Sequence, residues 1–121
     1  VESRGFVFAS AVSYLLKKPF ILLRKKNKLP AETHSVEFKL EYGNATMEIH
    51  KDSIESGDSV LLIDDLIATG GTAEAAVKLI EMSKGKVEGL IFVINLFDIG
   101  GYNNLVKKGY KVENLIEFPG H

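Results

Sequence analysis

Leu61-Leu62-Ile63-Asp64-Asp65-Leu66-Ile67-Ala68-Thr69-Gly70-Gly71-Thr72 is the stretch that decides the fold. Its apolar opening, with Val60, reads as a buried strand. Residues 64–71 read as a loop. From Thr72 a helix follows, with Ala73, Ala76, Val77 and Ile80 at helical spacing. Glu74 and Lys78 are spaced to pair on its solvent face, and Gly85 is a candidate for its C-terminal cap. A strand that delivers ligands to its carboxyl end and a loop that opens into a helix are the parts of an α/β ligand site.

Each part of the stretch has its own chemistry. Adjacent glycines let a ligand approach the main chain. Free N–H groups and the dipole at a helix start favour a phosphate, the dipole alone by roughly 0.3–1 kcal/mol. Thr69 and Thr72 add hydroxyl donors. Asp64 and Asp65 then face the sugar, since carboxylates accept hydrogen bonds from a diol and stabilise positive charge developing on the ring. A phosphorylated ribose fits this division of labour. The plainer reading is a strand–turn–helix corner with solvated aspartates; Asp-Asp alone would favour it, but the whole string does not. A Walker loop is excluded because no Gly-Lys-Ser/Thr is present, and a dinucleotide fingerprint fails on spacing.

Working outward, residues 6–17 read as a buried helix, apolar around most of its cylinder and ended by Lys17, Lys18 and Pro19. Residues 20–23 read as a short buried strand and residues 24–34 as a basic loop interrupted by Pro30. Val36, Phe38, Leu40 and Tyr42 alternate with polar residues, and Ala45, Met47 and Ile49 resume the alternation after Gly43-Asn44. That pattern predicts a hairpin turning at Gly43-Asn44 and lying as a flap outside the main sheet. Residues 90–96 read as a third buried strand, residues 100–108 as a short helix, and residues 112–118 as a final extended segment. Strands alternating with helices predict an α/β domain with a mainly parallel sheet flanked by helices.

Composition sets the outer bounds. The 121 residues suit one domain, and apolar residues at 45 % are enough for a core. A formal net charge of −1 gives no global attraction to nucleic acid or to an anionic membrane. Cysteine is absent, which removes disulfides and thiolate metal sites and suits the cytosol. His34, His50 and His121 lack metal-ligand spacing and read as surface or loop residues. No apolar run approaches the roughly 20 residues that span a bilayer. The start does not read as a signal peptide, and it carries no initiator methionine.

The central string resembles the phosphoribosyl-pyrophosphate signature of the type I phosphoribosyltransferases. Glu2-Ser3-Arg4-Gly5-Phe6, Arg24-Lys25-Lys26-Asn27-Lys28-Leu29-Pro30, Leu40-Glu41-Tyr42-Gly43, Glu48-Ile49-His50-Lys51-Asp52 and Glu117-Phe118-Pro119-Gly120 narrow the resemblance to the adenine phosphoribosyltransferase family. It implies that adenine displaces pyrophosphate from C1 of 5-phosphoribosyl 1-pyrophosphate to give AMP. Magnesium (Mg2+) would be held through the substrate, with no direct protein ligand, and the transition state would resemble an oxocarbenium ion. The implied roles are 5′-phosphate binding for Ala68, Thr69, Gly70, Gly71 and Thr72, and ribose binding for Asp64 and Asp65, the latter also catalytic. Ser3, Arg4, Arg24, Lys25 and Lys28 would bind pyrophosphate. Glu41 would handle the purine proton, Tyr42 would close over ribose or base, and Leu96 would line the base pocket. Taken alone, Arg24 to Lys28 would read as a solvated loop and Glu41 as the polar side of a strand.

The resemblance further implies a cytoplasmic homodimer acting on small molecules, with neither nucleic acid nor membrane as partner. Residues 1–121 would be the core domain. A section ahead of Glu2, supplying a hood over adenine and a strand leading into the pyrophosphate turn, is expected in the family and not contained here, so the isolated piece is expected to be unstable or inactive. Two rival functions stay open: a transferase for another purine, and a non-catalytic phosphoribosyl-pyrophosphate sensor.

Overall fold

The structure is a computed structural model that describes residues 1–40 and 43–120. The described elements run α1 (Gly5–Leu16), β1 (Arg24–Lys25), β2 (Thr33–Leu40), β3 (Gly43–His50), β4 (Ser59–Ile67), α2 (Gly71–Met82), β5 (Lys86–Leu96), α3 (Gly101–Lys107) and β6 (Val112–Phe118). They form two sheets. β4, β5 and β6 are parallel neighbours in that order, and β1, β3 and β2 form a separate antiparallel sheet. Parallel strands need long crossovers; α2 supplies the first and α3 the second.

The α2 periodicity explains why the two sheets belong together. Ala73, Ala76, Val77 and Ile80 are buried as expected, but Ala75 and Leu79 are buried too. The apolar face is wider than one sheet requires because α2 packs most extensively on β2 and also against β3, β4 and β5, so it serves both sheets. Small alanines let strands approach on both sides. Leu62, Ile67, Leu90, Phe92 and Leu105 complete the core beside Ile49 and Met47 of the flap sheet. Each fully buried Leu, Ile or Phe contributes about 1.5–3 kcal/mol relative to exposure.

Several expectations need correction. β4 does not stop at Ile63. Its ladder to β5 continues through Asp64↔Phe92, Leu66↔Ile94 and Ile67↔Asn95, so the acids sit on a strand and the loop shrinks to residues 68–70. Leu66 and Ile67 keep the chain in the sheet, Ile67 with 2 % exposure. Gly43 and Asn44 are not the turn, since they lie inside β3 opposite Leu40 and Lys39. The hairpin sheet is separate, as the alternation predicts. Residues 20–23 form no strand; the two-residue β1 follows them, and β2 begins within the expected loop. α1 is not buried: only Gly5 is, and Val7, Tyr14 and Leu15 are largely exposed. Its main contacts with another element run to β4, and Phe6 meets Phe20 edge to face, so its apolar cylinder is covered only in part.

Two local pairings also differ. Glu74 reaches Lys108 Nζ at 2.9 Å, across to the end of α3, rather than pairing with Lys78. Beyond α2 the left-handed residue is Lys84, at φ 64°. Gly85 donates its N–H to the Ile80 carbonyl, and a Cβ there would press on Ile54 Cγ2 at 2.9 Å. The glycine is required by packing rather than by backbone conformation.

Candidate active site

The carboxyl ends of β4 and β5 open into a cleft of about 440 Å3, a size suited to a small ligand. Asp64 and Asp65 form its floor. Asp64 is 9 % exposed, and its Oδ1 accepts the Asp65 N–H at 2.9 Å. Burial, opposed in part by that N–H and reinforced by repulsion from Asp65, pushes the Asp64 carboxyl up to about 7. Asp65 is more open and binds Arg4, Nε to Oδ2 at 2.7 Å. Gly5 makes this approach possible: a Cβ there would sit 2.7 Å from Asp64 Oδ1. The glycine of Ser3-Arg4-Gly5 therefore lets the first turn of α1 close on the acid.

Residues 68–70 then leave the sheet. Gly70 adopts φ 90° and caps α2, and the Gly71 N–H reaches Thr69 Oγ1 at 3.5 Å. Gly71, Thr72 and Ala73 line the cleft, and the first N–H groups of a helix have no helical partners. The loop rests on a second glycine pair. The Gly101 N–H donates to the Ala68 carbonyl at 3.0 Å. A Cβ on Gly101 would meet Ala68 O, and would lie 2.6 Å from the Thr69 carbonyl carbon and 2.7 Å from the Gly70 nitrogen. Backbone lies against backbone, so the start of α3 is a pedestal for the loop of residues 68–70.

The facing wall is cationic and tied down by acids. Ser3, Arg4 and Lys25 line the cleft together with Glu2. Glu2 accepts from Arg24 Nε at 3.1 Å, the Lys25 N–H at 3.1 Å and Lys28 Nζ at 2.6 Å. Burial disfavours its charge, but the bonds from Lys28, Lys25 and Arg24 outweigh burial and hold the carboxyl below its ordinary value. Glu48, also buried, accepts from the Asn27 N–H at 2.8 Å, Thr33 Oγ1 at 3.1 Å and Ser35 Oγ at 3.4 Å.

The cleft thus gathers Ser3, Arg4, Lys25, Asp64, Asp65, Ala68, Thr69, Gly70, Gly71 and Thr72. Arg24 and Lys28 stand beside it, turned onto Glu2. Leu96, half-buried at the end of β5 opposite Phe118, is not part of its lining. Glu41 and Tyr42 lie outside the described residues, as does His121. Among the described residues no group of three or more His, Cys, Asp or Glu is placed to hold a metal ion. No described helix is long and apolar enough to cross a membrane. Reading the chain gave no role to Glu2, Glu48 or Gly101. An acid directly before Ser3-Arg4 and a Gly100-Gly101 pair were the available signals.

Residues 1–118 match the family model for the phosphoribosyl transferase domain. The adenine phosphoribosyltransferase of Pelagibacter ubique is 78 % identical over 121 residues, which is 100 % of this chain and 69 % of that protein. A solved adenine phosphoribosyltransferase from Thermoanaerobacter pseudethanolicus superposes with a TM-score of 0.92 at 45 % identity, over 97 % of this chain and 67 % of that one. The Saccharomyces cerevisiae enzyme, solved with an imino-altritol bisphosphate and adenine, gives a TM-score of 0.89 at 36 % identity, over 95 % of this chain and 64 % of that one. The chain spans about two thirds of the length of these relatives.

Proposed function

Because the chain belongs to the adenine phosphoribosyltransferase family, we propose that its cleft transfers a phosphoribosyl group to adenine for purine salvage. The C1–N9 bond forms, the bond from C1 to the pyrophosphate oxygen breaks, and AMP and pyrophosphate leave. One observation carries the assignment of residues to roles: Asp64 and Asp65 share a single cleft with the loop Ala68–Thr72 on one side and with Arg4 and Lys25 on the other. A 5′-phosphate on the loop amides would put the ribose hydroxyls over the acids and the leaving group against the cations. Fixed charges of this kind stabilise a sugar cation and a departing anion without rearranging.

Ser3 and Arg4 would orient the pyrophosphate, and Arg24 and Lys28 would neutralise it from the rim. The pyrophosphate substrate would carry magnesium, which would neutralise part of its charge, and no residue of the chain is assigned as a direct ligand. Glu41 would take the purine proton, with Tyr42 and Leu96 near the base. Residues 1–121 would act as the core domain, with the hood over adenine outside it. A cytoplasmic homodimer is the setting we assign; the absence of cysteine suits a reducing compartment, and the exposed apolar side chains of α1 support an interface there. Sedimentation equilibrium tests the dimer.

Base competition in a radiolabelled transfer assay tests the reaction. Adenine is expected to outcompete hypoxanthine, guanine and xanthine; better use of any of these overturns the adenine assignment. Binding of 5-phosphoribosyl 1-pyrophosphate without turnover would point to a sensor instead.

A further inference from the structure

We propose that Glu2 is a positioning residue for the pyrophosphate end of the reaction, a single carboxylate that gathers the Arg24 and Lys28 side chains and the Lys25 backbone at the rim of the cleft. The inference rests on the pyrophosphate role given above to those cations.

The geometry is economical. Oε1 takes Arg24 Nε and the Lys25 N–H, and Oε2 takes Lys28 Nζ. The Glu2 side chain is 7 % exposed, its bond to Arg24 is half-buried and those to Lys25 and Lys28 lie at the surface, and Arg24 and Lys28 keep 33 % and 46 % of their surface. In these contacts Arg24 uses one of five N–H donors and Lys28 one of three, leaving donors for an incoming anion. The backbone reinforces the tie, since the Glu2 N–H donates to the Leu23 carbonyl at 2.9 Å. The far end of the basic segment is held independently by Glu48 through the Asn27 N–H.

Charge decides what this carboxylate is for. Arg24, Lys25 and Lys28 crowd like charges at one rim, and long cationic side chains lose entropy when ordered. One buried anion offsets part of that repulsion and fixes the direction of two of the three, while the segment keeps a net positive charge for the ligand. An anion at a phosphate site is otherwise unfavourable, because it repels pyrophosphate. The two effects have opposite signs in binding: a positioning carboxylate strengthens pyrophosphate binding, and a mere competitor weakens it.

Glu2→Gln, Lys28→Ala and the double variant separate these cases in the purified enzyme. Pyrophosphate product inhibition, KM for 5-phosphoribosyl 1-pyrophosphate, KM for adenine and AMP affinity without pyrophosphate are the readouts. Glu2→Gln is expected to weaken pyrophosphate inhibition and raise the 5-phosphoribosyl 1-pyrophosphate KM by about tenfold. AMP affinity and adenine KM should stay within about twofold, and the double variant should lose little more than Lys28→Ala. Tighter pyrophosphate binding in Glu2→Gln, fully additive losses, or an equal loss in every parameter would overturn the inference. If Lys28→Ala and Arg24→Ala both leave pyrophosphate inhibition untouched, the cation assignment fails and takes this inference with it. If they weaken it and Glu2→Gln does not, only the inference fails. Should Glu2→Gln not fold, Glu2→Asp, which keeps the charge but shortens its reach, is read by the same criteria.

Discussion

Arg4 Nε and Asp65 Oδ2 stand 2.7 Å apart, and this contact joins the two halves of the cleft. Arg4 belongs to the turn that opens α1, Asp65 to the end of β4. The arginine is 80 % exposed and the aspartate 23 %, so the pair resembles a surface ion pair, worth about 0–1 kcal/mol to stability. Its consequence lies in binding. On the roles proposed above, a ribose diol approaching Asp65 would meet a carboxylate already oriented by a cation, and that cation would be placed for the leaving group.

Asp65→Asn should therefore cost function and not fold. The amide still accepts from the sugar but loses the charge that faces both Arg4 and the developing sugar cation. Turnover is expected to fall by at least tenfold and KM for 5-phosphoribosyl 1-pyrophosphate to rise. The melting temperature should stay within a few degrees, as expected for loss of about 1 kcal/mol or less. Steady-state kinetics alongside a thermal melt measures both. Unchanged kinetics in a folded variant would remove Asp65 from the mechanism.

Asp64 predicts a pH dependence of definite sign. Its carboxyl titrates near 7 in the fold, mainly because it is buried, against about 3.9 in an unfolded chain. Between those values the folded state binds the extra proton. Stability is then greatest on the acid side of the window and falls as pH rises through it, levelling off above about 7. Activity should run the other way, since only the ionised form stabilises a sugar cation, so kcat/KM should fall below about pH 7. Thermal melts and kcat/KM across this range provide the check. Asp64→Asn should flatten the stability slope; persistence of that slope would place the titration elsewhere.

Glu48 predicts a stability effect distinct from these. Its buried carboxylate takes the Asn27 N–H, Thr33 Oγ1 and Ser35 Oγ. Glu48→Ala would leave those donors without their acceptor, at a cost of about 1–3 kcal/mol, with the flap sheet and the basic segment loosening first. Hydrogen exchange should show faster opening at residues 26–36 than at β5. Uniform protection across both regions would contradict the anchor.

What was legible in the chain was what is local. The spacing of Ala73, Ala76, Val77 and Ile80 exposed the inner face of α2, and residues 112–118 coincide with β6. The Asp64–Thr72 string brought acids, glycines and threonines into one corner because they are neighbours along the chain. What stayed hidden is non-local. Glu2 meets Arg24 and Lys28 from 22 and 26 positions away, and an isolated acid carries no mark of such partners. α1 looked buried because an apolar cylinder does not say how much of it is covered. The acids looked like loop residues because polar side chains mask a strand whose backbone ladder continues beneath them.

Gly101 gives the most direct test of how the loop of residues 68–70, to which we assign the 5′-phosphate, is held. Gly100 and Gly101 are adjacent, yet they need to be glycine for different reasons. Gly100 sits at φ 101° with no atom within 4 Å of a Cβ, so Gly100→Ala strains only its own backbone, by about 1 kcal/mol. A Cβ on Gly101 would instead strike the main chain of Ala68, Thr69 and Gly70. Backbone cannot swing aside as a flexible side chain does, so Gly101→Ala must displace the loop that the 5′-phosphate is assigned to. Displacement of about 1 Å at a binding site costs on the order of a hundredfold. AMP affinity and KM for 5-phosphoribosyl 1-pyrophosphate should both suffer in Gly101→Ala, while inhibition by free pyrophosphate, which has no 5′-phosphate, stays near the wild-type value. Gly100→Ala should lower the melting temperature and leave AMP affinity nearly intact. Isothermal titration with AMP on both variants, each checked by thermal melt, distinguishes them. Equal AMP affinity in the two would mean that the pedestal supports the fold and not the phosphate.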